Sequence, residues 1–435
     1  MVGEGDLLML GEPIAYRTPI YPWFLSFLRL APIPLLTVAI AQALMYLASV
    51  WMASELAPRI SGYASARVIT LLILLPAISA TSYLASLLTE TLFVFVLMLN
   101  LTAVMAYAKY ESAGSMAFAG FTFAITLLTR PIVLLLWVAH VALVFFIHRR
   151  RVERWGMHVP VSGRRRIVHG MLAVVVVAFL IAPWLGRNYH LFGKPFLTEF
   201  LGRNIWIVTF QDGSGSGLEM PSTEASEELK KRLSDANKHG DWSEMNWRHT
   251  WTVSSVLVQS GLDDAQADRL MKSVATQAMW QDIPNVAYKS VRRTINFWRC
   301  PATDLPYPAP DFQGFDDYPA TWSVERVGLG GIVLANQSAL KHRLSQSVLG
   351  NTVVMFVIGG CVFVLLVRRG SRPCGIWVLL MLLYFCAVTG IVEIPDYRYR
   401  LVIEPIAAMT VGGAVASLWG KLRGIEPEPD LEIDG

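Results

Sequence analysis

The amino-acid sequence predicts an all-α polytopic membrane protein, and three observations lead to that fold class. Of the 435 residues, 54% are hydrophobic and only 16% are charged, a composition typical of membrane proteins rather than soluble domains. The hydrophobic residues gather in long runs in the first and last parts of the chain. Between them lies one polar stretch, from about residue 186 to 345. We therefore expect two groups of membrane helices with a polar domain inserted between them.

The hydrophobic runs divide into about nine predicted spans, since a helix needs about 20 apolar residues to cross a bilayer. In chain order they cover residues 32–54, 68–88, 91–108, 115–129, 131–147, 168–185, 348–367, 375–392 and 401–419. Two of these divisions depend on single charges. From 68 to 108 the only charged residue is Glu90, and from 112 to 147 it is Arg130. Both stretches are too long for one crossing, so each predicts a hairpin that turns at its charged residue.

The distribution of Lys and Arg gives the orientation, because short cytoplasmic loops are enriched in both. Alternate loops hold fifteen basic residues, seven of them between residues 149 and 166. We assign these loops to the cytoplasm. Alternation then places Arg17, Glu90, Arg130 and the "DYRYR" of 396–400 together on the outer side.

The polar stretch also falls on the outer side and reads as a mainly helical domain. Residues 221–240 have acidic residues near the beginning of the segment and Lys-His-Gly at its end, a pattern typical of a capped helix. Residues 263–280 place one apolar face on Leu270, Met271, Val274, Ala275 and Ala278, and a helical period continues after Pro284. The predicted organisation is an outer loop with an interfacial helix (1–31), an N-terminal membrane bundle (32–185), an extracytoplasmic helical domain (186–345), a C-terminal membrane bundle (346–420) and a cytoplasmic acidic tail (421–435).

The beginning of the chain is unusual for this topology. Nine spans with a cytoplasmic tail put the N-terminus outside, yet neither an apolar segment nor a basic region precedes Leu7. The sequence thus predicts that a preceding span is missing. The alternative is a chain whose short N-terminal tail is itself translocated.

Several kinds of site are disfavoured. The four cysteines, Cys300, Cys361, Cys374 and Cys386, form no CxxC, and the eight histidines form no HExxH. The "GLGG" of 328–331 is too short a pattern to indicate nucleotide binding. No cofactor is expected, nothing indicates a divalent metal, and no nucleic-acid partner is expected.

Charged residues inside apolar runs point to a site, because a charge at the centre of a bilayer costs about 2.5–3.5 kcal/mol on insertion scales. One interpretation is that Glu90 and Arg130 mark wet turns at the interface or pair with each other structurally. The other is a polar cavity at the outer face. Its lining would be Arg17, Tyr21, Glu90, Arg130, Arg398 and Arg400. Guanidinium groups bind phosphate bidentately, so this cavity suits a lipid-borne phosphate, while a carboxylate among them suits a base.

Five segments in this order resemble bacterial members of the GT-C superfamily. They are "YRTPIYPWFL" (16–25), "LTETLF" (88–93), "LLTRPIVLLL" (127–136), "APWLGRNYHLFGKP" (182–195) and "DYRYRLVIEP" (396–405). The superfamily includes lipid-carrier-dependent glycosyltransferases such as aminoarabinose transferases and protein O-mannosyltransferases. The resemblance, which covers about residues 7 to 419, implies a GT-C-like helical bundle in the bacterial inner membrane. It also implies transfer from a polyprenyl-phosphate sugar to a lipid, glycan or protein acceptor on the outer face, with inversion at the anomeric carbon.

The resemblance also assigns roles. The family's base is an acid in the first outer loop, for which Asp6 is the nearest candidate, although the usual acid lies farther before the "RxPxYP" element. Glu4 and Glu12 are weaker substitutes. Glu90 matches the second-loop acid and would position acceptor or donor. Arg130 is the arginine of "LTRP"; Arg398 and Arg400 match "RYRLP", with Val402 in place of the usual proline. With Arg17 and Tyr21, these arginines would bind the donor phosphate.

Two other functions fit the same composition. A transporter or flippase of a lipid-linked sugar would share the spans and the basic outer cavity, but an internal inverted repeat would then be expected, and none is visible in the sequence. A non-catalytic homologue becomes more plausible if the first-loop acid is missing.

Overall fold

The computed structural model describes residues 8–9, 12–75, 87–144, 163–212, 218–237, 242–299 and 348–427. In these ranges the protein is all-α apart from two short antiparallel strands, β1 (Leu8–Met9) and β2 (Glu12–Pro13), which pair Leu8 with Pro13. The predicted all-α class is therefore confirmed.

The helices follow the chain in a simple order. The first seven are α1 (Ile20–Leu28), α2 (Pro34–Ser61), α3 (Ser65–Leu74), α4 (Glu90–Tyr110), α5 (Ala113–Thr129), α6 (Pro131–Val144, which begins with a 3₁₀ turn) and α7 (Gly163–Phe192). The next five are α8 (Leu201–Trp206, continued by a π-helical turn Ile207–Gln211), α9 (Glu224–Ala236), α10 (Thr250–Gln259), α11 (Asp264–Gln281) and α12 (Ile283–Arg299); a 3₁₀ turn, Trp242–Glu244, precedes α10. The last four are α13 (Val348–Val367), α14 (Arg372–Val392), α15 (Tyr397–Leu401) and α16 (Glu404–Arg423).

Helices occupy all or part of each predicted span, but fewer of them meet the length and hydropathy that crossing requires. Four helices among the described residues are long and apolar enough: α2, α4, α7 and α14. Helices α3, α5, α6 and the Thr352–Val367 part of α13 are apolar but shorter. The predicted second span, 68–88, continues beyond the described part of α3. These helices indicate a membrane protein, and the full count of nine spans remains a prediction.

The chain divides into two compact units that interleave along the sequence. The first unit, here the polar unit, comprises residues 1–22, 184–351 and 386–397. The second, here the apolar unit, comprises residues 23–183, 352–385 and 398–435. The polar unit thus takes in residues 386–397, which the sequence had placed within the C-terminal membrane bundle.

In the apolar unit, α2 packs against α3, α4 and α16, and α4 packs against α5. Small residues permit close approach, as is usual between membrane helices: a Cβ at Gly120 of α5 would lie 2.9 Å from the carbonyl oxygen of Ala173 in α7. A buried hydrogen-bonded chain links four helices. Trp377 donates to Nδ1 of His140 (3.2 Å), His140 Nε2 contacts Asn100 Oδ1 (3.0 Å), and Asn100 donates to Ala119 (3.1 Å). His140 thus serves as a hydrogen-bonding group within this bundle.

In the polar unit, helices α8 to α11 surround one hydrophobic core. Trp206, Leu229, Leu257 and Met271 are among its fully buried members. Helix α11 begins with a capping box in which Asp263 accepts from the Gln266 N–H (2.7 Å) and the Gln266 side chain accepts from the Asp263 N–H (2.9 Å). The predicted apolar face of this helix is confirmed: four of its five residues are fully buried and Leu270 is partly buried.

Candidate functional site

Arg130 lies in the break between α5 and α6. The residue before a proline is disfavoured in helical conformation, and Arg130, which precedes Pro131, has an extended backbone (φ −148°, ψ 117°). Its N–H still closes α5 by donating to Thr126 (3.0 Å). The Arg130 side chain therefore projects from the point where α5 ends.

Glu90 is the first residue of α4, where the helix dipole favours a negative charge. Its side chain is buried and accepts a bond from Arg130 Nη1 at 3.2 Å. The structure therefore brings together the two charges that interrupt the apolar runs. This is the pairing predicted by the first of the two interpretations of these charges.

A tyrosine that the sequence interpretation did not assign to the site lies between two arginines. The guanidinium carbon of Arg130 is 5.6 Å from the ring centroid of Tyr399, and that of Arg398 is 4.7 Å from the same ring. Arg398 also donates to the Tyr399 hydroxyl (2.7 Å). Arg130 further contacts the Phe93 ring at 5.6 Å. The sequence "RYR" could have indicated it: both arginines had been assigned to the site, but the tyrosine between them had not.

Arg400 lies on the same short helix, α15, as Arg398 and is only 7% exposed. Its backbone carbonyl accepts from Ile403, which leads into α16. We name the group formed by Glu90, Arg130, Arg398, Tyr399 and Arg400 the arginine cluster. All its members belong to the apolar unit, and all lie at or near helix ends.

The two remaining phosphate-binding candidates belong to the polar unit. Arg17 is exposed, and its guanidinium carbon lies 5.7 Å from the ring of Tyr16. Tyr21, in the first turn of α1, is buried. Asp6, the candidate base, lies outside the described residues, as does the side chain of Glu12.

A buried ionic group anchors the segment that carries Arg17. Ala15 donates its N–H to Asp264 (2.5 Å) and accepts from the N–H of Glu199 (2.9 Å). Asp264 pairs with Arg203, and the Arg203 guanidinium carbon lies 5.2 Å from the ring of Tyr16. Buried partners thus hold Ala15 and the Tyr16 ring, directly before Arg17 in the chain.

The Arg203 side chain is itself fully buried, and a second carboxylate, that of Asp268, lies beside it. Asp268 accepts from the N–H groups of Gly202 (2.8 Å) and Arg203 (2.9 Å). Burial raises the pKa of Asp268, while the neighbouring Arg203 charge and these two N–H groups oppose that rise. Sequence reasoning missed this group because its members lie far apart in the chain, although Asp264 and Asp268 share one face of α11 at helical spacing.

A second buried ionic group lies at the end of the π-helical turn. Asp212 pairs with Arg293 (2.6 Å), and the Lys289 ammonium lies 3.9 Å from the same carboxylate. Desolvation lowers the pKa values of Lys289 and Arg293, and the charge of Asp212 opposes both shifts. Across the part of the chain that the structure describes, no three His, Cys, Asp or Glu side chains are grouped as metal ligands would be.

Comparison of the whole chain with protein-family models, with curated proteins and with solved structures gives no match. The function is therefore inferred from the residues and their geometry.

Proposed function

We propose that this protein is an integral membrane glycosyltransferase of the GT-C type, which moves a sugar from a polyprenyl-phosphate donor to an acceptor hydroxyl. The observation that carries the proposal is the arginine cluster. It gathers two guanidinium groups, those of Arg130 and Arg398, around the Tyr399 ring, with the Glu90 carboxylate paired to Arg130 and Arg400 on the same short helix as Arg398. Phosphate on a lipid carrier needs such a setting, because its anionic head lies at the interface while its chain stays in hydrocarbon.

In the proposed reaction, the acceptor oxygen attacks the anomeric carbon from the face opposite the phosphate. The bond from that carbon to the phosphate oxygen breaks, and polyprenyl phosphate leaves with the electron pair. Negative charge grows on the departing phosphate, so preorganised arginines lower the barrier. Arg130 and Arg398, which both contact the Tyr399 ring, are the arginines proposed for this role.

The acceptor proton must pass to a carboxylate as the new bond forms. We assign this base role to a first-loop acid, with Asp6 as the candidate. Glu90 already accepts from Arg130, so it is better suited to hold Arg130 in place and to accept from a sugar or acceptor hydroxyl. In this assignment the chemistry takes place on the outer side of a bacterial inner membrane.

The test is incubation of membranes containing the chain with a radiolabelled polyprenyl-phosphate sugar. Transfer of label to an acceptor is the expected result, and Arg130→Ala should remove it. The matched control is Arg67→Ala, because Arg67 also pairs with a glutamate (Glu55, 2.8 Å) in the apolar unit, but on an exposed surface. Movement of the donor across the bilayer without transfer would replace this proposal by a flippase. If the chain gave neither transfer nor movement, it would be a non-catalytic protein.

A further inference from the structure

Helix α12 has its polar and apolar faces reversed relative to a helix on the surface of a soluble domain. Such a helix turns its apolar stripe toward the core and its charges toward water. In α12, Lys289, Arg293 and Asn296 are buried. The opposite face is exposed and apolar, and it consists of Ile283, Ala287, Tyr288, Val291 and Ile295.

The buried polar face is held in place by specific partners. Arg293 pairs with Asp212 (2.6 Å) and donates through Nε to the carbonyl of Gly390 (2.8 Å). Lys289 contacts Thr209 (3.4 Å) as well as Asp212. Rotating the helix to hide its apolar face would expose these groups and break a buried ion pair, a strongly unfavourable change. The exposed apolar stripe is therefore a fixed feature of the polar unit.

The position of α12 in the fold indicates what covers this stripe. Gly390 lies in the last turn of α14, a helix long and apolar enough to cross a membrane. A Cβ at Gly390 would lie 2.7 Å from the backbone nitrogen of Thr294, so the backbones of the two helices nearly touch. Helix α12 is thus fixed to the last turn of a candidate span, and the end of a spanning helix lies near the edge of the hydrocarbon.

We propose that α12 is an interfacial helix whose exposed stripe lies in the headgroup and upper acyl region of the same bilayer. The inference rests on the membrane location within the proposed function and not on sugar transfer. An amphipathic helix binds such a region through its apolar face, with aromatic residues at the headgroup level. Val291, 59% exposed at the middle of the stripe, would enter the acyl boundary.

Polar atoms beside the stripe fit the same location. Arg292 donates to the hydroxyl of Tyr288 (3.2 Å), and its guanidinium carbon lies 5.6 Å from the Tyr288 ring. An arginine next to an interfacial tyrosine can extend its charged end toward lipid phosphate while its stem covers apolar surface. The occupant that this chemistry recognises is a phospholipid surface.

Photo-crosslinking of the full chain tests this directly. A photoreactive diazirine side chain is placed at Val291, and the purified protein is reconstituted in vesicles of phosphatidylethanolamine and phosphatidylglycerol. After illumination, mass spectrometry should find phospholipid adducts at this position. The control position is Lys231, an exposed residue of α9 in the same unit, which should give several-fold fewer lipid adducts.

A second diazirine position, Ala287 on the same stripe, keeps the test decisive if the first variant fails to fold. Adducts to a second copy of the chain, or lipid labelling no greater than at Lys231, would overturn the proposal. Because a chain that transfers no sugar can still be labelled by lipid, failure of this inference and failure of the proposed function give different results.

Discussion

Glu90 illustrates how one buried side chain can serve both the fold and the chemistry. It begins a helix, and it forms an ion pair with Arg130. Replacing it by glutamine keeps an oxygen that can accept from Arg130 but removes the charge that fixes the guanidinium.

We expect Glu90→Gln to fold and to lose turnover by about 10²-fold, since small displacements of positioning groups have effects of that size. The measurement is the rate of label transfer at saturating donor. Glu55→Gln, which removes the charge from the exposed pair with Arg67, is the control and should keep the parent rate. A near-normal rate for Glu90→Gln would return this residue to a purely structural role.

Arg400 gives a second test at the residue scale. If it faces the donor phosphate, Arg400→Ala should lower kcat by about 10²–10³-fold, as loss of one transition-state donor does. Membrane insertion, followed by protease protection, should be unchanged. Arg369→Ala, an exposed arginine of the apolar unit, provides the comparison. Unchanged transfer in Arg400→Ala would remove Arg400 from the site.

At the scale of elements, the close approach of α8 to α11 sets a strict size limit at Gly202. A Cβ there would lie 2.8 Å from the backbone carbonyl carbon of Asp268, and backbone atoms cannot move aside cheaply. Gly202→Ala should therefore destabilise the polar unit by about 1–3 kcal/mol, the usual cost of overpacking. Thermal unfolding in detergent measures it. Gly186→Ala, in α7 with no atom within 4 Å of the new Cβ, should be neutral or slightly stabilising.

Helix α10 depends on a histidine cap whose protonation can be controlled. Nδ1 of His249 accepts from the N–H of Thr252 (3.3 Å), which requires a neutral ring. Burial lowers the pKa of His249 below its usual 6.5, so the unfolded state binds more protons between those two values. Stability of α10 should therefore be lost as pH falls below 6.5.

Hydrogen exchange at Thr252, compared at pH 7.5 and pH 5, is the measurement. Asparagine is a good cap that does not titrate in this range, so His249→Asn should abolish the pH dependence. Equal protection at both pH values in the parent protein would show that the cap does not control this helix.

Sequence periodicity predicted some of these elements and missed others for physical reasons. The apolar face of α11 was readable because four of its residues repeat at helical spacing and are all buried. Helix α10 was missed because "TWTVSSVLVQ" is rich in β-branched residues, which are weak helix formers, and burial of Val253 and Leu257 outweighs that propensity. For α12 the helical period was visible in the sequence, but a period does not say which face of the helix is buried. Here the buried face is determined by Asp212, which is distant in the sequence.

The same limit applies to the site. Glu90 and Arg130 could be selected from sequence because a single charge in a long apolar run is costly. Their contact arises because the start of α4 lies beside the end of α5, and that arrangement is a feature of the tertiary structure. The partners of Arg203 lie 61 and 65 residues farther along the chain, and no local pattern connects them.

At the scale of the whole molecule, the proposed function requires that all site residues lie on one side of the membrane. Epitope tags inserted at residue 111, between α4 and α5, and at residue 395, before α15, should be accessible from opposite sides of sealed vesicles. Accessibility of both tags from the same side would contradict the predicted topology.

The contact between Ala15 and Asp264 also imposes an order on biosynthesis. The two residues are 249 positions apart in the sequence. At about 5–20 residues per second, about 12–50 s pass between the synthesis of Ala15 and that of Asp264. Residues 386–397, which complete the polar unit, are made later still. The segment around Ala15 therefore cannot make this contact until Asp264 has been synthesised, and it must avoid other stable pairings during that interval.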